Sequence, residues 1–139
     1  MSAPTPLPTV DIELVIPFHD IDPMNIVWHG RYVKYLEIAR CELLESFEYG
    51  YEQMRESGYV WPVVDIRIKY IKPLRFKQRI RINATLEEWE YRLKVRYTLY
   101  DADSGEKLTK AHTTQVAVDL ETEEMTFDTH SMLKQKLGL

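Results

Sequence analysis

Residues 31–49 are the one long stretch of this chain that lacks both Gly and Pro and also carries a helical apolar period. Tyr32, Leu36, Ala39, Leu43 and Phe47 recur at steps of three and four, and Val33, Ile38 and Leu44 widen the apolar arc. The spacing predicts a helix enclosed by other structure, since a helix with one wet side shows a narrower stripe. Gly50 and Gly58 bracket a more polar extension of it. Everything downstream changes period. Ile80, Ile82, Ala84 and Leu86 alternate with Arg81, Asn83, Thr85 and Glu87, and Tyr91, Leu93, Val95, Tyr97 and Leu99 alternate with Arg92, Lys94, Arg96 and Thr98. Period-two alternation marks strands buried on one face. Strands are expected over 10–17, 60–72, 78–89, 91–100 and 107–120, and a short helix over 129–137. One helix among about five strands joined by short connections implies an α+β domain, a curved antiparallel sheet wrapped around a long central helix. Its open edges invite self-association into a homodimer or homotetramer.

The chain has 139 residues, 45% of them apolar. That is enough for one core and too little for two independent domains. Residues 1–9 are expected to be a flexible lead-in, and 10–139 the domain. With three prolines and no basic start or apolar run, the lead-in does not read as a signal peptide. No stretch is apolar enough to span a membrane. The net charge of −4 argues against general nucleic-acid binding, which rests on a basic surface. Cys41 is the only cysteine, which rules out an intrachain disulfide and fits a reducing cytoplasm. Set mid-helix among apolar residues, it is expected in the core rather than as a nucleophile.

Between strand and helix, residues 18–32 read FHDIDPMNIVWHGRY, a loop rich in turn formers that ends in the helix start. Asp20 is expected to hold loop amides, and Pro23 to stiffen the turn. His19 with the two aspartates makes no metal site, because His112 and His130 share no ligand spacing with them. The loop and its continuation Leu36-Glu37-Ile38-Ala39-Arg40 resemble the active-site signature of the 4-hydroxybenzoyl-CoA thioesterase family of hotdog enzymes, in particular the subgroup typified by the Tol-Pal-associated acyl-CoA thioesterase. Tyr70 and Pro73 also match family positions. The resemblance implies a hotdog fold and hydrolysis of acyl-CoA or acyl-carrier-protein thioesters, with no cofactor beyond the CoA or phosphopantetheine of the substrate. It implies Asp22 as the catalytic carboxylate and His29 at the helix entry.

The chemistry agrees with that assignment. A carboxylate can attack the thioester carbonyl or activate water, and free N–H groups at a helix start can receive the oxyanion; Trp28, His29 and Gly30 are the candidates. Tyr32, Trp61 and Tyr70 are expected to line the acyl site. Between 67 and 81 lie Arg67, Lys69, Lys72, Arg75, Lys77, Arg79 and Arg81 with no acidic residue. Such a run can receive an anionic carrier, with Lys72, Arg75 and Lys77 as expected contacts. Where the family has an acidic residue after the proline, this chain reads Lys77-Gln78. Glu37 and Arg40, three apart on the helix, are expected to pair with each other or across a subunit contact. Two other readings stay open: a hotdog dehydratase pairing His29 with Glu37, and a non-catalytic acyl-carrier-binding protein.

Overall fold

A computed structural model describes residues 6–139. Strand β1 (Thr9–Val15) leads through the loop into a single 3-10 turn at His29–Arg31 and helix α1 (Tyr32–Glu45). There follow α2 (Tyr51–Glu56), β2 (Tyr59–Val60), β3 (Val63–Tyr70), β4 (Arg79–Glu88), β5 (Leu93–Asp101), β6 (Lys107–Gln115), β7 (Ala117–Asp119), β8 (Met125–Thr126) and α3 (His130–Lys136). Five strands form an antiparallel sheet in the order β1-β4-β5-β6-β3, and β2, β7 and β8 form a second, smaller one. Register shifts at Leu86/Glu88, Leu99/Tyr100 and Val63/Asp65 bend the large sheet around α1.

The core lies between that concave face and the helix. Leu36, Ala39 and Leu43 of α1 meet Ile80, Ile82, Ala84 and Leu86 of β4 and Leu93, Val95, Tyr97 and Leu99 of β5, all fully buried. The alternation read from β4 and β5 therefore holds, at about 1.5–3 kcal/mol for each large apolar side chain removed from water. Tyr91 is the exception. It precedes β5 and stays exposed, so its face is not the strand's.

Three boundaries differ from expectation. The polar extension of the helix is a separate α2, because Glu48 takes a left-handed φ of 59° and Gly50 an extended conformation. The strand expected over 60–72 breaks at Pro62, which has no N–H for a ladder, and its first part pairs with β7 in the small sheet. The strand expected over 107–120 breaks at Val116, whose N–H turns to the Pro62 carbonyl at 3.3 Å. Of the expected lead-in, residues 1–5 lie outside the described residues; Pro8 already accepts a bond from the Leu86 N–H at 3.0 Å, and Thr9 begins β1.

Strand β3 is an edge of the large sheet, and its Val64, Ile66 and Tyr70 are exposed. Among the described residues, no helix is long and apolar enough to cross a membrane.

Candidate active site

Residues 16–30 are held to the fold by a series of backbone bonds. The Ile16 N–H donates to the Gln78 carbonyl at 3.0 Å, and the Val27 N–H donates to that of Leu74 at 2.8 Å. Between them a miniature hairpin closes: Ile21 bridges Val27, and the Asp22 N–H donates to the Ile26 carbonyl at 2.9 Å. Its tip needs a left-handed residue, supplied by Asn25 at φ 64°. Asp22 Oδ1 accepts the Met24 N–H at 2.8 Å, the side-chain turn that Asp forms two residues ahead. One carboxylate oxygen thus shapes the loop, and the other has no partner among the described residues.

A cleft of about 350 Å³ collects Asp22, His29, Tyr32, Tyr70 and Lys72. These come from the loop, the helix entry, α1 and the end of β3, so five of the expected site residues meet in one place. The Tyr70 hydroxyl donates to the His29 carbonyl at 3.0 Å, and Tyr70 packs edge-on against Tyr32 with ring centroids 4.7 Å apart. Burial pushes the Tyr70 phenol above its ordinary pKa, so it stays a protonated donor near neutrality.

The helix entry corrects one assignment. The Trp28 N–H donates to the Asp20 carbonyl at 3.0 Å and is not available to a ligand. The N–H groups of His29 and Gly30 have no acceptor among the described residues, and they sit at the positive end of α1. Gly30 is required by contact: a Cβ there would lie 2.5 Å from the Trp28 ring. In Gly30→Ala the indole must swing away and tilt the amide beside it. If that N–H receives an oxyanion, the expected result is a kcat about tenfold lower, since complete loss of one such donor typically costs about 10²–10³. Tm should stay within about 4 °C of wild type, because Trp28 is already half exposed. An unchanged kcat would detach Gly30 from the site.

Other expected contacts lie elsewhere. Trp61 is buried in a second cavity of about 600 Å³ between α1, α2 and the small sheet, its indole N–H donating to the Tyr49 hydroxyl at 2.7 Å. Arg75 and Lys77 lie beyond the cleft lining, where the Lys77 ammonium rests 5.4 Å from the Phe76 ring centre. The basic run does not form one field, because β3 and β4 are three strands apart. Arg79 pairs with Asp103 at 2.5 Å and Arg81 with Asp11 at 3.6 Å, while Lys72 pairs with Glu106. Among the described residues Arg67, Lys69, Arg75 and Lys77 have no ion-pair partner.

Glu37 and Arg40 form no ion pair with each other and instead border the second cavity, away from His29, so one chain does not unite the His29 and Glu37 of the dehydratase reading. Cys41 borders the same cavity and is exposed rather than core. Partial desolvation, opposed by Arg40 and reinforced by the carboxylates of Glu37, Glu45 and Glu42, holds its thiol above the usual range, the opposite of an activated nucleophile.

The sequence reading missed the anchor of the loop. Asp20 is 1% exposed, and its carboxylate receives the Lys34 ammonium at 2.6 Å and the Tyr35 hydroxyl at 2.6 Å, with the Arg31 guanidinium at 3.7 Å. Asp20 therefore binds side chains of α1 rather than loop amides. Burial raises its pKa, yet the bonds from Lys34 and Tyr35 outweigh it and the net shift is downward. The signal available was Tyr35 on the buried side of α1, a hydroxyl that needs a partner there.

The family model described as "Thioesterase-like superfamily" matches residues 16–137. The chain is 30% identical over 110 residues to the candidate acyl-CoA thioesterase YneP of Bacillus subtilis, covering 78% of this chain and 79% of that one. It is 24% identical over 117 residues to the 1,4-dihydroxy-2-naphthoyl-CoA hydrolase of Thermosynechococcus vestitus, covering 83% and 80%. Among solved structures, a DHNA-CoA thioesterase from Staphylococcus aureus superposes with a TM-score of 0.82 at 20% identity, over 94% of this chain and 89% of that one. A 1,4-dihydroxy-2-naphthoyl-CoA thioesterase from Synechocystis gives 0.81 at 20% identity, over 94% and 97%. At that identity the superpositions speak for the fold alone.

Proposed function

Because this chain belongs to the thioesterase-like superfamily, we propose that it hydrolyses acyl thioesters, of coenzyme A or of an acyl carrier protein, in the cleft of Asp22. One observation carries the proposal: Asp22 and His29 line the same cleft, and the His29 and Gly30 N–H groups begin the helix there without acceptors. The substrate carbonyl takes those N–H groups as its oxyanion site. Asp22 attacks the carbonyl carbon itself, or removes a proton from water that attacks it. The C–S bond then breaks, and the thiol, with a pKa near 8.5, leaves as thiolate with little need for a general acid. Tyr70 fixes the His29 carbonyl and so the plane of the adjoining peptide. Where Asp22 is the nucleophile, water hydrolyses the resulting anhydride in a second step. CoA or phosphopantetheine arrives as part of the substrate, and no step requires a metal. The relatives named as acyl-CoA and dihydroxynaphthoyl-CoA hydrolases support the reaction class. Assignment to the 4-hydroxybenzoyl-CoA branch and its Tol-Pal-associated subgroup rests on the 18–40 motif. The reading includes a cytoplasmic setting and pairing of two copies along the apolar edge of β3.

The test is thiol release from short, long and aromatic acyl-CoAs and from acyl carrier proteins. No release above the blank from any of them would overturn the reading. For the carrier, the cations without partners beside the cleft are Arg75 and Lys77. Reversing both charges should raise KM several-fold, leave kcat in place and flatten the dependence of KM on salt, as for a steering patch. An unchanged KM would return both residues to ordinary solvated surface.

A further inference from the structure

The outer face of the large sheet, turned away from α1, carries its charges unevenly. On its β1–β4 half the cations are paired: Arg79 stands 3.9 Å from Glu13, and Arg81 3.6 Å from Asp11. Across β5, β6 and β3 the register lays outward side chains in rows. Arg96, His112 and Arg67 form one row, and Thr98, Lys110 and Lys69 the next. Glu87 neutralises part of the first, with Arg96 at 3.3 Å and His112 at 3.6 Å. Arg67, Lys69 and Lys110 are exposed and have no ion-pair partner among the described residues. Asp65, the acid of β3, faces Thr114 and pairs with none of them. Lys69 and Lys110 stand directly opposite each other. Like charges in that position, with Cβ atoms about 5 Å apart, repel and weaken the sheet. An ordinary solvated face mixes both signs, as the β1–β4 half does. A chain with a net charge of −4 thus keeps a cationic field where it costs stability, and an anionic partner is what such a field attracts.

We propose that Arg67, Lys69 and Lys110 dock the acidic helical surface of an acyl carrier protein, which delivers the acyl thioester to the cleft on its phosphopantetheine arm. The inference rests on thioester hydrolysis at Asp22 and names the carrier. Free coenzyme A matches less well: its phosphates are compact and travel with the group in the cleft, whereas these cations stand on an open face on the other side of the sheet. Along β3, Arg67 and Lys69 lie about 7 Å apart, and β6 runs about 5 Å beside them. Carboxylates on successive turns of a helix, about 5–6 Å apart, fit that spacing. The connection to the site is short, because Tyr70, the residue after Lys69, lines the cleft. A carrier seated on Lys69 and Lys110 has the end of β3 between it and Asp22. Pairing of two copies along the β3 edge leaves this face open, since it adds strands beside β3 and covers neither face of the sheet.

The experiment compares decanoyl-acyl carrier protein with decanoyl-CoA in wild type, Lys110→Glu and Lys69→Glu/Lys110→Glu. Lys110→Glu turns the repelling pair into an attracting one, so Tm should hold or rise. Its KM for the carrier substrate should nevertheless rise at least about tenfold, as when a steering field is lost. KM for decanoyl-CoA should change less than about twofold, because that substrate does not meet the outer face. The double variant restores like charges with the opposite sign and should raise the carrier KM further, with the spread among the three proteins narrowing at high salt. A merely structural role does not move Tm and KM in that combination. An unchanged KM for the carrier substrate, or equal rises for both substrates, would overturn the proposal. So would wild-type binding to phosphatidylglycerol vesicles that Lys110→Glu abolishes while the carrier KM stays put, since the face would then serve a membrane. If neither substrate is hydrolysed, the reaction class fails, and docking is judged by titrating a bacterial holo-acyl carrier protein that bears no acyl group. Wild type should bind it at least about tenfold more tightly than Lys110→Glu, and equal affinities would sink the proposal.

Discussion

Asp22→Asn is expected to lower kcat for thioester hydrolysis by at least about 10²-fold while leaving the domain folded. The separation follows from how the two carboxylate oxygens are used. Oδ1 accepts the Met24 N–H, and the amide oxygen of Asn can do the same, so the turn at 22–25 keeps its shape. What the substitution removes is the charged oxygen that, in the proposed reaction, attacks the carbonyl or takes the proton from water, and removal of such a group is typically worth about 10²–10⁴. Steady-state thiol release with one acyl-CoA, beside a thermal melt, reads both quantities. A variant that turns over like wild type would end the case for Asp22, whatever happens to the fold. Single turnover in ¹⁸O-labelled water then divides the two chemistries. Label enters the product acid directly if Asp22 activates water, and in the first turnover resides in Asp22 itself if the anhydride is cleaved at the aspartyl carbonyl.

The second large effect concerns stability rather than rate. Asp20→Ala should destabilise the domain by about 3 kcal/mol or more, because it leaves the Tyr35 hydroxyl buried without its acceptor and removes the anion that Lys34 and Arg31 surround. For a chain of this length that is a fall in Tm of about 10 °C. Acid should expose the same interaction. The folded-state pKa of Asp20 lies below the ordinary 3.8, so its contribution is complete above about pH 4 and disappears as the pH falls through the lower folded value. Urea melts of wild type and Asp20→Ala should therefore stand furthest apart from pH 5 upward and draw together as the pH falls below 4. A gap that stays constant down to pH 2 would contradict an ionised Asp20 as the source.

Periodicity carried the large features of the fold, because burial on one face imposes a period whatever the neighbours are. Leu93, Val95, Tyr97 and Leu99 had to share a side, and they line the core. Pro62 was a visible strand-breaker within 60–72, yet only tertiary pairing decides that Tyr59 and Val60 join a different sheet. That Asp22, His29, Tyr32 and Tyr70 share one cleft was legible from the motif and its downstream partners, and Lys72 beside them from the basic run. The Trp28 amide was not, because whether an N–H is free depends on an acceptor eight residues back, and loop closure leaves no periodic trace. Trp61 lines the other cavity, and composition marks an aromatic as a lining residue without saying which cavity it lines. The cations between 67 and 81 looked continuous because sequence order is not sheet order.

The anchoring of residues 16–30 also governs how this molecule moves. Catalytic loops usually belong to the least stable part of a fold and open on their own. Here the loop is tied at Ile16, Val27 and Trp28 by backbone bonds and at Asp20 by a buried ion, so it cannot lift without undoing the entry to α1. Local opening of the loop and global unfolding become nearly the same event. In the proposed reaction, substrate access then falls to the side chains that rim the cleft, the exposed Met24 and Ile71 among them, which change rotamer in nanoseconds while the backbone proposed to orient the carbonyl stays fixed.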